Sequence, residues 1–149
     1  MLRNFLRPLG LLAVLTAFVL AANPSPSRAG DVSSADQETI RGIITGQLDA
    51  FQRDDGTAAY GYASPGIQAM YPTVDAFMTM VKNGYPPVYR PRATTFGPIV
   101  DSPSGPLQRV FLTGPDGKNW IAEYTLQRQP DGTWRISGCR LLQDSGATI

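Results

Sequence analysis

The last third of the chain alternates apolar and polar residues, a pattern typical of half-buried β-strands. Three such segments span residues 107–113, 119–128 and 134–142. The two turns between them, at 114–117 and 129–132, share a Pro-Asp-Gly core. That core favours a type I turn followed by a left-handed glycine. We therefore predict an antiparallel meander in which residue 114 pairs with 118 and residue 129 pairs with 133.

This register predicts which side chains share each face of the sheet, and a slip of one residue would exchange the two faces. The face predicted to pack on the helices collects Val110, Leu112, Trp120, Ala122, Tyr124, Leu126, Trp134, Ile136 and Leu142, with Gln108 and Arg140 as its polar members. The outer face collects Leu107, Arg109, Phe111, Ile121, Glu123, Thr125, Gln127, Arg135, Ser137, Cys139 and Leu141. On that face Arg109 is expected opposite Glu123, with Cys139 beside Glu123. A half-apolar outer face indicates either a solvated surface or a dimer interface.

Helical periodicity is clearest over residues 34–53, where Ser34 is the expected N-cap. An apolar stripe recurs there at Ile40, Ile43, Ile44, Leu48 and Phe51. Gln47 falls in the middle of this stripe. Since a buried Gln needs hydrogen-bond partners, it is expected either to bind a backbone group or to face a cavity.

The middle of the chain is predicted to form shorter elements. Ser64-Pro65 and Thr73 are expected helix starts, and Asn83-Gly84 is an expected stop. The proline-rich segment 85–92 is predicted to be extended, and it leads into a strand near 93–96 and a loop over 97–106. Helices followed by a curved antiparallel meander define an α+β fold.

The N-terminus has the features of an export signal. Arg3 and Arg7 precede a 14-residue apolar run from Leu9 to Ala22, which is short for a membrane span. Cleavage is predicted after Ala29, with Ala22 as the alternative site and an uncleaved anchor helix as the alternative interpretation. We therefore expect a cleavable signal over 1–29, and a single domain over 30–149 that is periplasmic or secreted and has no membrane span.

Composition then excludes several chemistries. The chain has no histidine and one cysteine, Cys139, so catalysis by Ser-His-Asp or Cys-His groups, histidine zinc sites and an internal disulfide are all ruled out. No cluster of metal ligands is evident, and no cofactor is implied. Three of the 13 basic residues lie in the predicted signal, which leaves ten against 12 acidic residues. A domain with this balance is not expected to bind nucleic acid.

Several pieces of the chain together resemble a bacterial domain-of-unknown-function family, number 4864. The resemblance runs over most of residues 36–142 and is carried by Ile43, Ala50-Phe51, Asp54-Asp55, Ala63-Ser64-Pro65, Ile67, Phe77-Met78, Met80-Val81, Gly84 to Pro91, Asp131-Gly132, Trp134 to Ile136 and Gly138. It implies a nuclear-transport-factor-2-like cone, in which helices cover a strongly bent sheet. That superfamily includes isomerases, dehydratases, ligand-binding modules and dimerisation domains, so the fold does not select a function.

The sequence offers only weak candidates for catalytic residues. Enzymes with this type of fold usually hold a carboxylate inside the cone, but the predicted inward strand positions contain neither Asp nor Glu. Asp54 and Asp55 are the remaining options, as partners of Tyr60, Tyr62 or Tyr124 in a cofactor-free lyase or isomerase. The alternative for Asp55 is to cap the next short helix.

Binding is the leading hypothesis, and its candidate contact residues are Gln47, Tyr85, Tyr89, Arg90, Arg92 and Arg140. The sequence predicts a non-catalytic module that binds a small apolar ligand or a protein partner, as a homodimer through the outer sheet face. Cys139 is expected to be a small core residue or, if exposed, to form an intermolecular disulfide. A structural envelope protein without a pocket is the third possibility.

Overall fold

A computed structural model describes residues 32–146. It contains five helices and four strands: α1 (Ser34–Gln52), α2 (Gly56–Gly61), α3 (Pro65–Met70), α4 (Val74–Gly84), α5 (Pro86–Tyr89), β1 (Ala93–Val100), β2 (Leu107–Thr113), β3 (Asn119–Arg128) and β4 (Trp134–Gln143). The strands form one antiparallel sheet in the order β1-β2-β3-β4. Helices followed by an antiparallel sheet confirm the predicted α+β class and are consistent with the cone implied by the resemblance. The predicted signal lies outside the described residues.

The helix α1 forms because its cap and its apolar stripe agree. Its N-cap is Ser33, whose side chain accepts a hydrogen bond of 3.1 Å from the backbone of Asp36. The prediction of Ser34 was therefore wrong by one residue. The stripe of Ile40, Ile44, Leu48 and Phe51 is buried, as the periodicity indicated. Each such side chain contributes on the order of 2 kcal/mol of hydrophobic free energy, so this face fixes α1 against the sheet.

Both Pro-Asp-Gly turns have the predicted register. The backbone of Gly114 donates to Lys118 at 2.8 Å, and that of Gln129 donates to Thr133 at 2.7 Å. The glycines at 117 and 132 adopt φ values of 80° and 85°, the left-handed conformation that glycine takes without steric cost. Arg109 lies opposite Glu123, as predicted.

A β-bulge at Ser137 overturns the predicted faces for the end of β4. Leu126 pairs with Ile136, but Thr125 pairs with Gly138, so Ser137 is an extra residue in β4. Beyond it, Cys139 lies opposite Tyr124 and Arg140 lies opposite Glu123. Cys139 and Leu141 therefore belong to the inner face, and Arg140 and Leu142 to the outer face, the reverse of the prediction.

Two further predictions about the middle of the chain were wrong. Segment 85–92 is not extended throughout, because Pro86–Tyr89 form the short helix α5. Proline at the first turn of a helix loses no hydrogen bond, since the first amide groups have no partner within the helix. Strand β1 also continues to Val100, so the Pro-Ser-Gly loop is shorter than expected. Within residues 32–146, no helix is both long enough and apolar enough to cross a membrane.

Candidate functional site

A cavity of about 190 Å³ lies between the helices and β4. Its wall is mostly apolar and aromatic. The lining residues are Gln47, Phe51, Ile67, Met70, Tyr71, Phe77, Met80, Val81, Tyr85, Val88, Tyr124, Ile136, Ser137, Gly138 and Cys139. None of these side chains is Asp, Glu, Lys or Arg. The wall therefore carries no side chain that is charged at neutral pH.

The elements that build the wall follow from the local sequence. The stripe of Phe77, Met80 and Val81 on α4, which the sequence predicted, faces the cavity, while α4 packs on α2 and α5. Opposite, the bulge brings Ser137, Gly138 and Cys139 to the wall. The cavity is thus the space between an amphipathic helix and the irregular part of β4.

Three residues with an ionisable hydroxyl or thiol group, Tyr85, Tyr124 and Cys139, line the β4 side of the cavity. The Tyr124 hydroxyl is fully buried and has no hydrogen-bond partner among the described residues. Burial, together with the neighbouring Cys139, raises the pKa of Tyr124 well above its ordinary value. Burial also raises the pKa of the Cys139 thiol to about 12 and raises the pKa of Tyr85. All three groups are therefore protonated and uncharged at neutral pH.

Only one of the two tyrosine hydroxyls is already engaged. Tyr85 donates to the backbone oxygen of Cys139 at 3.0 Å, and so ties the start of α5 to β4. The Tyr124 O–H remains as an unused donor. The thiol of Cys139 lies beside it and is at most a weak hydrogen-bonding partner, and the hydroxyl makes no hydrogen bond of ordinary geometry within the described residues.

Gln47 fulfils both alternatives that the sequence left open. Its side chain is buried and donates to the backbone oxygen of Ala59 at 3.1 Å. The same residue also lines the cavity. Gln47 therefore connects α1 to α2 while it forms part of the cavity wall.

The two candidate carboxylates lie outside the cavity wall. Asp55 caps α2, accepting from the backbone of Ala58 at 3.0 Å, which is the alternative role that the sequence offered. Asp54 forms an ion pair of 2.8 Å with Arg90 and accepts a hydrogen bond from the Tyr89 hydroxyl. The hydrogen bond from Tyr89, with help from Arg90, lowers the pKa of Asp54.

The candidate tyrosines are also separated from these carboxylates. Tyr60 donates to the backbone oxygen of Tyr71 at 2.7 Å, a bond that joins α2 to the end of α3. Tyr62 is half-buried and is not part of the cavity wall. Asp54 is paired with Tyr89, which is not one of the candidate partners. The structure therefore does not assemble the predicted Asp/Tyr site inside the fold.

The basic binding candidates lie away from the cavity. Arg90 stacks on the Tyr89 ring at 4.0 Å from its centroid. It also donates a hydrogen bond to the backbone oxygen of Phe51, in the last turn of α1. Arg92 is exposed next to β1. Arg140 is on the outer face, where its Nε donates to Glu123 at 3.1 Å. Of the six binding candidates, only Gln47 and Tyr85 line the cavity.

On the outer face, three charged side chains lie side by side across the strands, and the sequence predicted part of this charged row. Glu123 is buried between Arg109, whose Nε lies 3.2 Å away, and Arg140. Hydrogen bonds from Arg140 first, and then from Arg109, lower the pKa of Glu123. The Arg109–Glu123 half was predicted from the register, but the Arg140 half was missed because it depends on the bulge.

Sequence reasoning also missed Ile67, Met70 and Tyr71 as part of the wall. Ile67 and Met70 lie in α3 and Tyr71 follows it directly, and this helix of six residues is too short to show a periodic stripe. The described residues contain no group of three His, Cys, Asp or Glu side chains that could hold a metal ion.

These features define a class: an α+β protein whose helices and antiparallel sheet form the walls of an open, uncharged cavity. Residues 33–149 match the family model described as Domain of unknown function (DUF4864), and the chain belongs to that family. No curated protein matches the chain. Among solved structures, the 1.8 Angstrom structure of Aln2 from a Streptomyces species is similar at 15% sequence identity and a TM-score of 0.46, covering 76% of this chain and 93% of that chain.

Proposed function

We propose that this protein is an exported, non-catalytic binding module that takes a small, mostly apolar ligand into the cavity between α4 and β4. The observation that carries the proposal is an apolar, aromatic cavity whose wall contains a buried hydroxyl, that of Tyr124, with no partner within the described chain. Ligand sites of this kind combine apolar walls with a few polar groups that orient the ligand. Export rests on the apolar N-terminal run of the sequence.

The cavity wall gives little support to the alternative of a lyase or isomerase. A general base must come within hydrogen-bond reach of the proton that it removes. The wall holds no carboxylate, and three of its ionisable groups, Tyr85, Tyr124 and Cys139, have raised pKa values that keep them protonated. A protonated phenol or thiol donates a hydrogen bond but does not accept a proton at neutral pH.

Native mass spectrometry of the protein purified from its export compartment tests the proposal. We expect the chain over 30–149 to carry a bound molecule of roughly 100–200 Da, since an engineered apolar cavity of about 150 Å³ binds benzene. A matched pair of α4 variants provides the control. Met80→Trp fills the cavity wall and should remove the extra mass, whereas Thr79→Trp, at the exposed neighbouring position, should retain it.

Two results would contradict the binding proposal. One is a protein without added mass that also fails to take up any small apolar molecule offered to it. The other is equal ligand retention by Met80→Trp and Thr79→Trp, because the ligand would then lie elsewhere.

The outer sheet face supports a second candidate function, homodimerisation. Phe111, Ile121 and Leu142 form an apolar row across the sheet, and Phe111 and Leu142 are 39% and 37% exposed. The bulge replaces the expected Leu141 with Leu142 in this row, so the row has the predicted length but a different residue at its β4 position. Apolar side chains grouped on one open sheet face are typical of protein contact surfaces.

A further inference from the structure

The chemistry of the cavity restricts its ligand more narrowly than size and apolarity alone. We propose, as a step that rests on the proposed function, that the cavity selects an uncharged molecule of about one ring whose short arm carries a hydrogen-bond-accepting oxygen, such as an aryl ketone or aldehyde. Three independent features of the wall lead to this class: its volume, its buried tyrosine hydroxyl without a partner and its lack of cationic side chains.

The volume limits the ligand to about one ring. The cavity measures about 190 Å³, slightly more than the roughly 150 Å³ of an engineered apolar cavity that binds benzene. Drug-sized ligands occupy pockets of about 300–1,000 Å³. Phe51, Phe77 and Tyr71 contribute aromatic surface to the wall. A substituted benzene therefore fills this space, whereas a steroid-sized or long-chain molecule would extend beyond it.

The unused donor requires an acceptor on the ligand. A buried hydroxyl without a hydrogen bond costs free energy, and the cost is recovered when a partner is supplied. The Tyr124 hydroxyl is in this state, screened from solvent and beside Cys139, in a residue that lines the cavity. Tyr85 already donates its proton to the backbone oxygen of Cys139, so it does not compete for the same acceptor. A ligand carbonyl satisfies Tyr124, whereas a pure hydrocarbon leaves it unpaired.

The absence of cations from the wall excludes carboxylates. None of the lining side chains is Lys or Arg. Arg90, which lies outside the wall, is already engaged with Asp54 and the end of α1. An ionised carboxylate transferred into an apolar site without a counter-charge is strongly disfavoured. Benzoates and short fatty acids should therefore bind poorly although their apolar parts fit.

Titration calorimetry with three probes of equal ring size tests the inference: acetophenone, ethylbenzene and benzoate. We expect acetophenone to bind about tenfold more tightly than ethylbenzene, which corresponds to one buried hydrogen bond. Benzoate should bind on the order of a hundredfold more weakly than acetophenone. The ordering among the three probes is measured on the unmodified protein, so it does not depend on any variant folding correctly.

Two variants then assign the effect to a single hydroxyl. Tyr124→Phe should weaken acetophenone about tenfold and leave ethylbenzene within about twofold. Tyr62→Phe is the matched control, because Tyr62 is a half-buried tyrosine outside the cavity wall. It should change neither affinity.

The outcomes separate the inference from the proposed function. If ethylbenzene and acetophenone bind equally, or benzoate binds as well as acetophenone, the cavity binds ligands but the inferred class is wrong. An acetophenone affinity that is unchanged in Tyr124→Phe also overturns the role of this hydroxyl. If none of the three probes binds and no endogenous ligand is found, the proposed function itself fails.

Discussion

Glu123 shows how a single carboxylate can be buried on the outer face of a sheet. Its side chain is 6% exposed, whereas Arg109 and Arg140 on either side of it are 46% and 69% exposed. The long arginine side chains cover the carboxylate while their charged ends remain in solvent. Both arginines donate to it, which compensates for its loss of hydration.

This arrangement predicts that Glu123→Gln destabilises the protein at neutral pH. Hydrogen bonds from Arg140 and Arg109 hold the pKa of Glu123 below 4.5 in the folded state. The stabilisation is therefore complete above pH 4.5 and is lost as the pH falls through the lowered pKa of the folded state. We expect a loss of about 1–2 kcal/mol at pH 7, a modest value because the arginines are exposed to solvent. Urea denaturation at pH 7 and pH 3 measures the difference, which should shrink at pH 3.

The control for this prediction is Asp116→Asn. Asp116 pairs with Lys118 at 3.8 Å, and both side chains are largely exposed, so its replacement should leave the free energy of unfolding nearly unchanged at both pH values. A Glu123→Gln variant as stable as the parent at pH 7 would show that the two arginines do not stabilise the carboxylate.

Asp54 and Asp55 show what sequence reasoning can reach at the scale of single residues. The cap formed by Asp55 was open to prediction because capping depends on the next three residues alone. The partners of Asp54, by contrast, come from α5, more than thirty residues away in the chain. No local pattern specifies that contact, and it exists only because α5 is a short helix rather than an extended segment.

At the scale of elements, the Ser137 bulge decides which side chains enter the cavity. Turn chemistry fixed the hairpin register up to Ile136, and the prediction held to that point. The bulge then shifts the remaining pairs by one residue. The available indication was Gly138, where a Cβ atom would lie 2.8 Å from Oγ1 of Thr125. A glycine in a strand indicates a bulge or a close approach, but it does not specify which residue is inserted.

The inward position of Cys139 predicts slow reaction with thiol reagents. Burial raises the pKa of this thiol to about 12, so only about one molecule in ten thousand is a thiolate at pH 8. We expect reaction with a disulfide reagent in native buffer at least about a hundredfold slower than in denaturant. Absorbance of the released thiolate measures both rates.

A second cysteine at an exposed site is the control. Ser104 lies in the loop between β1 and β2 and is exposed, so Ser104→Cys should add one fast-reacting thiol and leave the slow phase unchanged. If Cys139 reacts as fast as the introduced cysteine, the thiol is on the outer face and the bulge is misplaced.

Only part of the cavity wall could be predicted from the sequence. The α4 stripe and Gln47 could be assigned because both lie in helices long enough to show a periodic face. Tyr85 was singled out as a contact residue, and in the structure it both lines the cavity and ties α5 to β4. The prolines around it are compatible with both extended and helical starts, and only packing against β4 decides between them.

At the scale of the whole molecule, the two faces of the sheet have different chemistry. The inner face carries the uncharged cavity with Tyr124 and Cys139. The outer face carries the Arg109–Glu123–Arg140 row beside an apolar row. The bulge places Cys139 on the inner face and Arg140 on the outer face, so the thiol belongs to the cavity side and the guanidinium to the charged row. A ligand in the cavity and a partner on the outer face would therefore bind to opposite sides of the same four strands.

This separation makes the proposed homodimer testable without disturbing the cavity. Light scattering of the chain over 30–149 at tens of micromolar should give twice the mass of one chain. Phe111→Glu places a charge in the exposed apolar row, where desolvation on association would be costly, so it should shift the mass toward that of a monomer. Thr79→Glu is the matched control, because Thr79 is exposed on α4 and lies outside the cavity wall, so the same added charge should leave the dimer intact.

The same experiment distinguishes a packed interface from a disulfide. Since Cys139 faces inward, reductant should not change the measured mass. A dimer that dissociates on reduction would place the thiol at the interface and contradict the inner-face assignment. A monomer mass for the unmodified chain would contradict the proposed homodimer. The apolar row would then be a contact surface for a different protein. A dimer lost in Phe111→Glu and kept in Thr79→Glu would assign association to the outer face, because a general effect of added charge would weaken both variants.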